Sequence, residues 1–288
     1  FLGILYFFNQ SFKSLILFSF FILVLGIFSD LKLIQSAAKR FLFQITLVLS
    51  FIIFNDIQIL DTRIILLDSL LNNNFLNYLF VTFCILIVIN GSNFLDGLNT
   101  LNIGYYFLIC LIIYFLRFNN EIVLNDISIF YFLVLFSFVF LLNFFNKFYL
   151  GDSGSYLLGF IFSVFLIYLY NSNNNLSPFF IILLLWYPCF ETLFSMIRKK
   201  ILNKSMMNPD TNHLHQLIFF FIKRNFKIQT IHANIIAANV INLYNLIIFL
   251  IAFNFINHSQ IQIMLILLNL IIYTVIYFKV FIFKIQKK

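Results

Sequence analysis

The sequence predicts an all-α, polytopic transmembrane helix bundle, and three observations carry that prediction. Of the 288 residues, 62% are hydrophobic and 10% charged, and the mean hydropathy of +1.01 lies far outside the range of a water-soluble domain. Apolar runs long enough to cross about 30 Å of hydrocarbon, roughly 17 to 25 residues each, recur along the whole length. These runs are continuous rather than alternating, so inside hydrocarbon they satisfy their backbone hydrogen bonds as helices, not as barrel strands. A single bundle domain over residues 1–288 follows.

In order, an apolar stub at 1–8 precedes nine spans near 15–28, 41–55, 76–91, 102–118, 128–145, 155–170, 178–197, 231–253 and 261–283. The stub is too short to cross, and a first residue of Phe leads to the expectation that the chain is truncated. Gly26, Gly104 and Gly159, inside spans, read as points of close helix packing. Cys84, Cys110 and Cys189 stand alone in apolar runs, without metal or redox spacing, and read as packing residues.

Alternating the spans across a membrane sorts the charges. Lys32, Lys39, Arg40, Lys147, Arg198, Lys199, Lys200, Lys204, Lys223, Arg224, Lys227, Lys279, Lys284, Lys287 and Lys288 fall on one side, and Lys13, Arg63 and Arg117 on the other. Basic loops stay cytoplasmic, so the first group is expected to face inward. The net charge of +8 then gathers where anionic headgroups and anionic substrates are met, with no nucleic acid among the expected partners. Of the ten acids, Asp56, Asp61, Asp68, Glu121 and Asp126 map to outer loops, and Asp30, Asp96, Asp152, Glu191 and Asp210 to inner ends and loops. Carboxylates are costly near hydrocarbon. Several at one face suit a hard divalent cation, Mg²⁺ with Mn²⁺ as the alternative, sharing oxygen ligands with a phosphate.

Four inner segments hold this chemistry. SDLKLIQSAAKR (29–40) sets Asp30 among Lys32, Lys39 and Arg40, and alone reads as a short solvated loop. NGSNFLDGLNTL (90–101) repeats Asn90, Asn93, Asp96 and Asn99 every third residue, which on a helix lines them along one face; the plainer reading is an Asn-rich turn. GDSGS (151–155) opens a helix. There Asp152 or Ser153 is either an N-cap or part of a loop whose N–H groups take a phosphate while Asp152 takes the metal. Lys147 lies just ahead of it. RKKILNKSMMNPDTNHLHQL (198–217) is basic and then specific, with Pro209, Asp210, Asn212, His213 and His215. Two histidines without a third soft ligand are weak for zinc and suit hydrogen bonds to a nucleotide diphosphate.

Together and in this order, the segments resemble the polyprenyl-phosphate N-acetylhexosamine-1-phosphate transferases, the membrane glycosyltransferase family 4 that starts O-antigen, enterobacterial common antigen, teichoic acid and peptidoglycan lipid intermediates. NGSNFLDGLNTL resembles that family's N-x-x-N-x-x-D-G-x-[DN]-G-L segment, KFYLGDSGSYLLGF its K-x-F-x-G-D-[ST]-G-S-x-x-L-G-F segment, and PDTNHLHQL its P-D-x-x-H-[LI]-H-H-x-L segment. The resemblance implies transfer of an amino-sugar 1-phosphate from a UDP-linked amino sugar to undecaprenyl or another polyprenyl phosphate, releasing UMP with Mg²⁺. The setting implied is the cytoplasmic leaflet of a bacterial inner membrane, with a homodimer allowed. It implies Asp152 with Asp30 as metal ligands and Asp30 and Asp96 as catalytic acids. Asn90, Asn93, Asn99, Lys147, Asp210, His213 and His215 are implied to bind substrate. The HLHQ segment favours the O-antigen branch, feeding lipopolysaccharide, over the peptidoglycan branch.

The chain also departs from the family pattern. Ser29 stands where the family carries the first of two paired aspartates, Gln216 replaces the last histidine, and Glu191 replaces an Asp before the basic loop. The family's first helix and Pro-x-x-Gly-Gly loop are expected ahead of Phe1, so the chain as given is expected to be inactive. Two rival readings stand beside this one. A transporter or flippase would hold its acids at mid-span, with broken helices; a degenerate family member, suggested by Ser29, would bind lipid or nucleotide without turnover.

Overall fold

Eight of the nine predicted spans each become one helix in the computed structural model, which describes residues 13–122, 126–173, 175–203, 205 and 210–287. The stub at 1–8 and Pro209 lie outside the described residues. The long apolar helices are α1 (Lys13–Asp30), α2 (Ala37–Asn55), α4 (Asn74–Leu95), α5 (Leu101–Phe118), α7 (Gly151–Asn171), α11 (Thr230–Phe253) and α12 (Ser259–Gln286), all long and apolar enough to cross a membrane. α6 (Asp126–Phe144) has a shorter apolar stretch, Ile129–Phe144. Two short helices, α3 (Ile65–Leu71) and α10 (Leu214–Phe226), fold within segments read as loops.

The span expected at 178–197 is not one straight helix. It is a pair, α8 (Pro178–Leu184) and α9 (Trp186–Ile201), bent by 73°. Pro188 explains the break: it has no N–H to give Leu184 O, and its ring crowds that carbonyl. Tyr105 of α5 donates its hydroxyl to Leu184 O at 2.8 Å, so the freed acceptor is satisfied inside the bundle, as hydrocarbon requires.

Lipid is as apolar as leucine, so close packing and interhelical hydrogen bonds, rather than transfer from water, hold such helices together. Gly26 of α1 lies against the Ser153 backbone of α7, and Gly91 of α4 against the Pro188 carbonyl. A Cβ on Gly159 of α7 would come within 2.6 Å of Ile89 Cα. A methyl at any of these three points meets backbone and forces the helices apart. Gly104 of α5 is packed against the Asn242 side chain of α11. One apolar cluster joins α1, α2, α4 and α7 through Ile22, Phe51, Ile85 and Phe160. A second centres on Tyr105, Tyr106, Phe162, Phe180 and Trp186. Trp186 also donates to Asn245 Oδ1 of α11 at 2.8 Å, a buried bond worth about 0.6 to 2 kcal/mol.

The helices alternate in direction, as the sorting of charges assumed. At one end, Asn171 of α7 bonds Gln58 O, Tyr170 bonds Asp61 O, and Arg63 bonds Leu176 O, Asn257 O and Ser259 Oγ. At the other end meet the termini of α1, α4, α6 and α9, the starts of α2, α5, α7, α10 and α11, and the C-terminal turn of α12. The four quoted segments all lie at this second end.

Candidate active site

α7 begins at Gly151, whose φ is +64°, and a Cβ there would lie 2.8 Å from the Asp30 carboxylate. Conformation and space both require glycine. Neither Asp152 nor Ser153 caps the helix: Leu150 holds the N-cap position without a side-chain bond. The cap comes from α1. Asp30 Oδ1 accepts the Asp152 N–H at 2.9 Å and Oδ2 the Ser153 N–H at 3.1 Å, a carboxylate at the positive end of a helix dipole. Two expectations are thereby corrected, because the first N–H groups of α7 are held by Asp30 and not left open for a phosphate.

Freed from capping, the Asp152 side chain turns to α1 and α2. Its Oδ2 accepts from Arg40 Nη1 at 2.9 Å, from Ser29 Oγ and, at 3.5 Å, from the Tyr156 hydroxyl. Ser29 Oγ also accepts from Arg40. Ser29 is therefore a relay between Arg40 and Asp152, and it is buried. Arg40 was counted in the sequence only as inner-face charge; no motif marked it.

Asp96 is the C-cap residue of α4, its N–H bonded to Asn93 O at 3.3 Å. The helix ends there, so Asn90, Asn93, Asp96 and Asn99 do not form one helical row. Asn90 spends its amide on Gln44 Oε1 at 3.0 Å and Leu86 O at 2.8 Å, bridging α4 to α2. Asn93 is half-buried on the last turn. Burial pushes the Asp96 carboxyl up to about 7, with the charges of Asp152 and Asp30 adding to the effect and hydrogen bonds from the Gly151 backbone and Ser155 opposing it.

Asn99 lies in the turn to α5, its N–H bonded to Asn234 Oδ1 at 2.8 Å and its amide to Asn146. Thr100 beside it has φ 68°, a left-handed conformation that costs a β-branched residue about 1 to 3 kcal/mol. Three asparagines hold it: Asn143 accepts its N–H, Asn242 donates to its carbonyl at 2.9 Å and Asn239 to its hydroxyl at 3.3 Å. The quoted family segment has glycine at this position, the signal that marks Thr100; the asparagines were masked by an Asn-rich composition.

The histidine segment adjoins the same turn. His213 packs on Phe94 with ring centroids 4.6 Å apart and stacks with His215 at 5.7 Å and 11°. His213 Nδ1 lies 2.9 Å from Glu191 Oε1 in α9, and the Tyr273 hydroxyl of α12 donates to Oε2 at 2.8 Å. His215 is fully buried and both ring nitrogens lack a hydrogen-bond partner, as does the buried Gln216 Oε1. Burial pushes His215 down to about 3, against the pull of Glu191, so it is a neutral hydrogen-bonding group. A Cβ on Gly97 would come within 2.7 Å of His215 Nε2, so it is proximity that requires glycine there.

Asp210 is paired with Arg198, which also bonds Asn212 O and, at 2.9 Å, the Tyr277 hydroxyl. Burial raises the Asp210 carboxyl, but the Arg198 and His213 charges outweigh it and hold the group below the usual carboxylate range. Lys284 of α12 donates to Thr211 O and Asn212 Oδ1 at 2.8 and 2.7 Å. Lys147 is exposed on the loop before α7. Thus Asp30, Asp96 and Asp152 form one cluster and His213 and His215 line its edge. Asp210 holds the neighbouring loop, and Asn90 is turned toward α2.

Among the described residues, no three His, Cys, Asp or Glu side chains are arranged to hold a metal ion. A site shared with phosphates needs only one or two carboxylates plus water. The oxygen donors of Asp152 and its neighbours fit that smaller demand in kind.

Acids, a guanidinium and imidazoles gather at one end of a membrane bundle. The chain belongs to glycosyl transferase family 4, whose model matches residues 12–170, from α1 to the last turn of α7. It is a multi-pass membrane transferase that passes a sugar phosphate to a lipid carrier. No curated protein and no solved structure matches the chain significantly.

Proposed function

We propose that the protein transfers an N-acetylamino-sugar 1-phosphate from a UDP-sugar to a polyprenyl phosphate, undecaprenyl phosphate in a bacterium, at the cytoplasmic face of the inner membrane. The product would start a surface polysaccharide of the O-antigen type. The observation that carries this reading is the convergence of Asp30, Asp96 and Asp152, from three segments far apart in sequence, at the basic end of a family 4 bundle. The excess of Lys and Arg at that end supports a cytoplasmic setting.

In the reaction, an oxygen of the lipid phosphate attacks the sugar-bearing phosphorus of the UDP-sugar. A new P–O bond joins lipid phosphate to sugar phosphate, the bond to the UMP oxygen breaks, and UMP leaves with the electron pair. A phosphate monoester carries about −1.5 to −2 charge near neutral pH, so the nucleophile needs alignment and charge neutralisation more than a strong base. Mg²⁺, when bound, supplies charge neutralisation of the diphosphate, with Asp152 and Asp30 as its protein ligands and Mn²⁺ as a substitute. Arg40 and Ser29 hold the Asp152 carboxylate in place, and the α7 cap keeps Asp30 beside it. Asp96, and Asn93 and Asn99 flanking it, face the substrate; His213 and His215 offer hydrogen bonds to the sugar nucleotide, and Lys147 an exposed cation.

Purified full-length protein mixed with a UDP-amino sugar, Mg²⁺ and undecaprenyl phosphate, followed for UMP, tests the reading. Lipid-phosphate-dependent UMP release is expected, with UDP-GlcNAc the first donor tried. Vesicle transport of a lipid or solute without UMP would support the transporter or flippase instead. Binding of lipid or nucleotide with no UMP from any UDP-amino sugar would support a degenerate family member.

A further inference from the structure

Glu191 is fully buried in α9, and both its oxygens accept hydrogen bonds. The Tyr273 hydroxyl donates to Oε2, leaving Oε1 to face His213 Nδ1 at 2.9 Å. A carboxylate is an acceptor at both oxygens, so Nδ1 must carry the proton, and Nε2 is the atom left for a ligand. The ring plane is fixed as well, between Phe94 at 4.6 Å and the parallel His215 at 5.7 Å. Tyr273 is itself wedged edge-on against Phe190 and Phe194, at 4.8 and 5.2 Å, so the far oxygen of Glu191 is held by a rigid donor.

A buried acid that serves packing alone is a poor choice, since its desolvation is costly and an uncharged replacement of similar volume is often neutral or better. Orientation of an imidazole is a task that an uncharged replacement does less well. We propose that Glu191 is a positioning residue that fixes the tautomer and ring plane of His213, presenting its Nε2 as an acceptor for a hydroxyl or N–H of the sugar nucleotide, with Tyr273 of the last helix steadying the carboxylate. This rests on the transferase reading above for the ligand, though not for the pairing itself. It also gives α12, outside the matched residues 12–170, a part in the site.

The test uses the full-length protein in detergent with Glu191→Gln, His213→Gln and the double variant. UMP release by Glu191→Gln is expected to fall about 10- to 100-fold in kcat/KM, the scale found when a carboxylate that orients a metal-bound histidine is removed. The double variant is expected to be no slower than His213→Gln alone. Selective ¹⁵N labelling of the four histidines provides a second readout: Nδ1 of His213 protonated in the wild type and mixed between tautomers in Glu191→Gln. Multiplying losses in the double variant, or a His213 tautomer unchanged by Glu191→Gln, would overturn the proposal. If Glu191→Gln fails to fold, Glu191→Asp takes its place, drawing the carboxylate back by one methylene; unchanged His213 signals would then refute it. Wild-type protein that makes no UMP would refute the transferase reading, while the tautomer measurement still decides the pairing.

Discussion

The acids at the two ends of the bundle are satisfied in opposite ways. At the outer end, Asp68 accepts from the backbone and hydroxyl of Thr62, at 2.7 and 2.6 Å, and Asp61 from the Arg63 N–H at 2.7 Å. Asp56 accepts from Gln58 and Tyr78 at 2.7 and 2.5 Å. Every one of these partners lies within one loop or on the helix beside it. At the inner end, Asp30 reaches 122 residues along the chain to cap α7, Arg40 reaches 112 to Asp152, and Tyr273 reaches 82 to Glu191. A local acid shapes a loop; an acid with distant partners fixes helices against one another and builds a site.

The sharpest break between the two ends should come from single charges. Asp152→Asn should lower UMP release by about 10²- to 10³-fold, the scale of losing one electrostatic contributor to a transition state. Asp68→Asn should leave the rate within a factor of two, and equal losses from the two would erase the distinction. Asp30→Ala should follow, losing rate and also about 1 to 2 kcal/mol of stability with the α7 cap. Gly151→Ala should cost about 1 to 3 kcal/mol through left-handed strain and crowding of Asp30, read as a lower unfolding temperature in detergent.

The last difference is a pH slope. Asp96, pushed by burial up to about 7 from the usual carboxylate value of 3.8, stays protonated in the fold where the unfolded chain ionises. The folded state then binds more protons between these values, so stability falls as pH rises from about 4 to about 7 and levels off above. Asp96→Asn should flatten that decline. A slope of the same size in both proteins would show that other groups produce it.

The spans were legible because apolar length is a one-dimensional property. The bend at Pro188 was written in the sequence too, but hidden inside a hydropathy run. The four site segments were legible as patterns, their exchanges of partners were not: nothing near Gly151 reveals that Asp30 takes the cap expected of Asp152. Arg40 was indistinguishable from Lys39 as loop charge. Asn143, Asn239 and Asn242 gain meaning only where α6 and α11 meet Thr100.

The cap on α7 also has a history in time. Asp30 is made and inserted long before Asp152 leaves the ribosome, so the first turn of α7 remains uncapped until it finds a helix already waiting in the bilayer. α1 acts as a template, and the acidic cluster comes into existence at the moment the two helices dock. A nascent chain halted before residue 153 would hold Asp30 with nothing to cap, and the carboxylate centre would be absent however well its membrane helices had inserted.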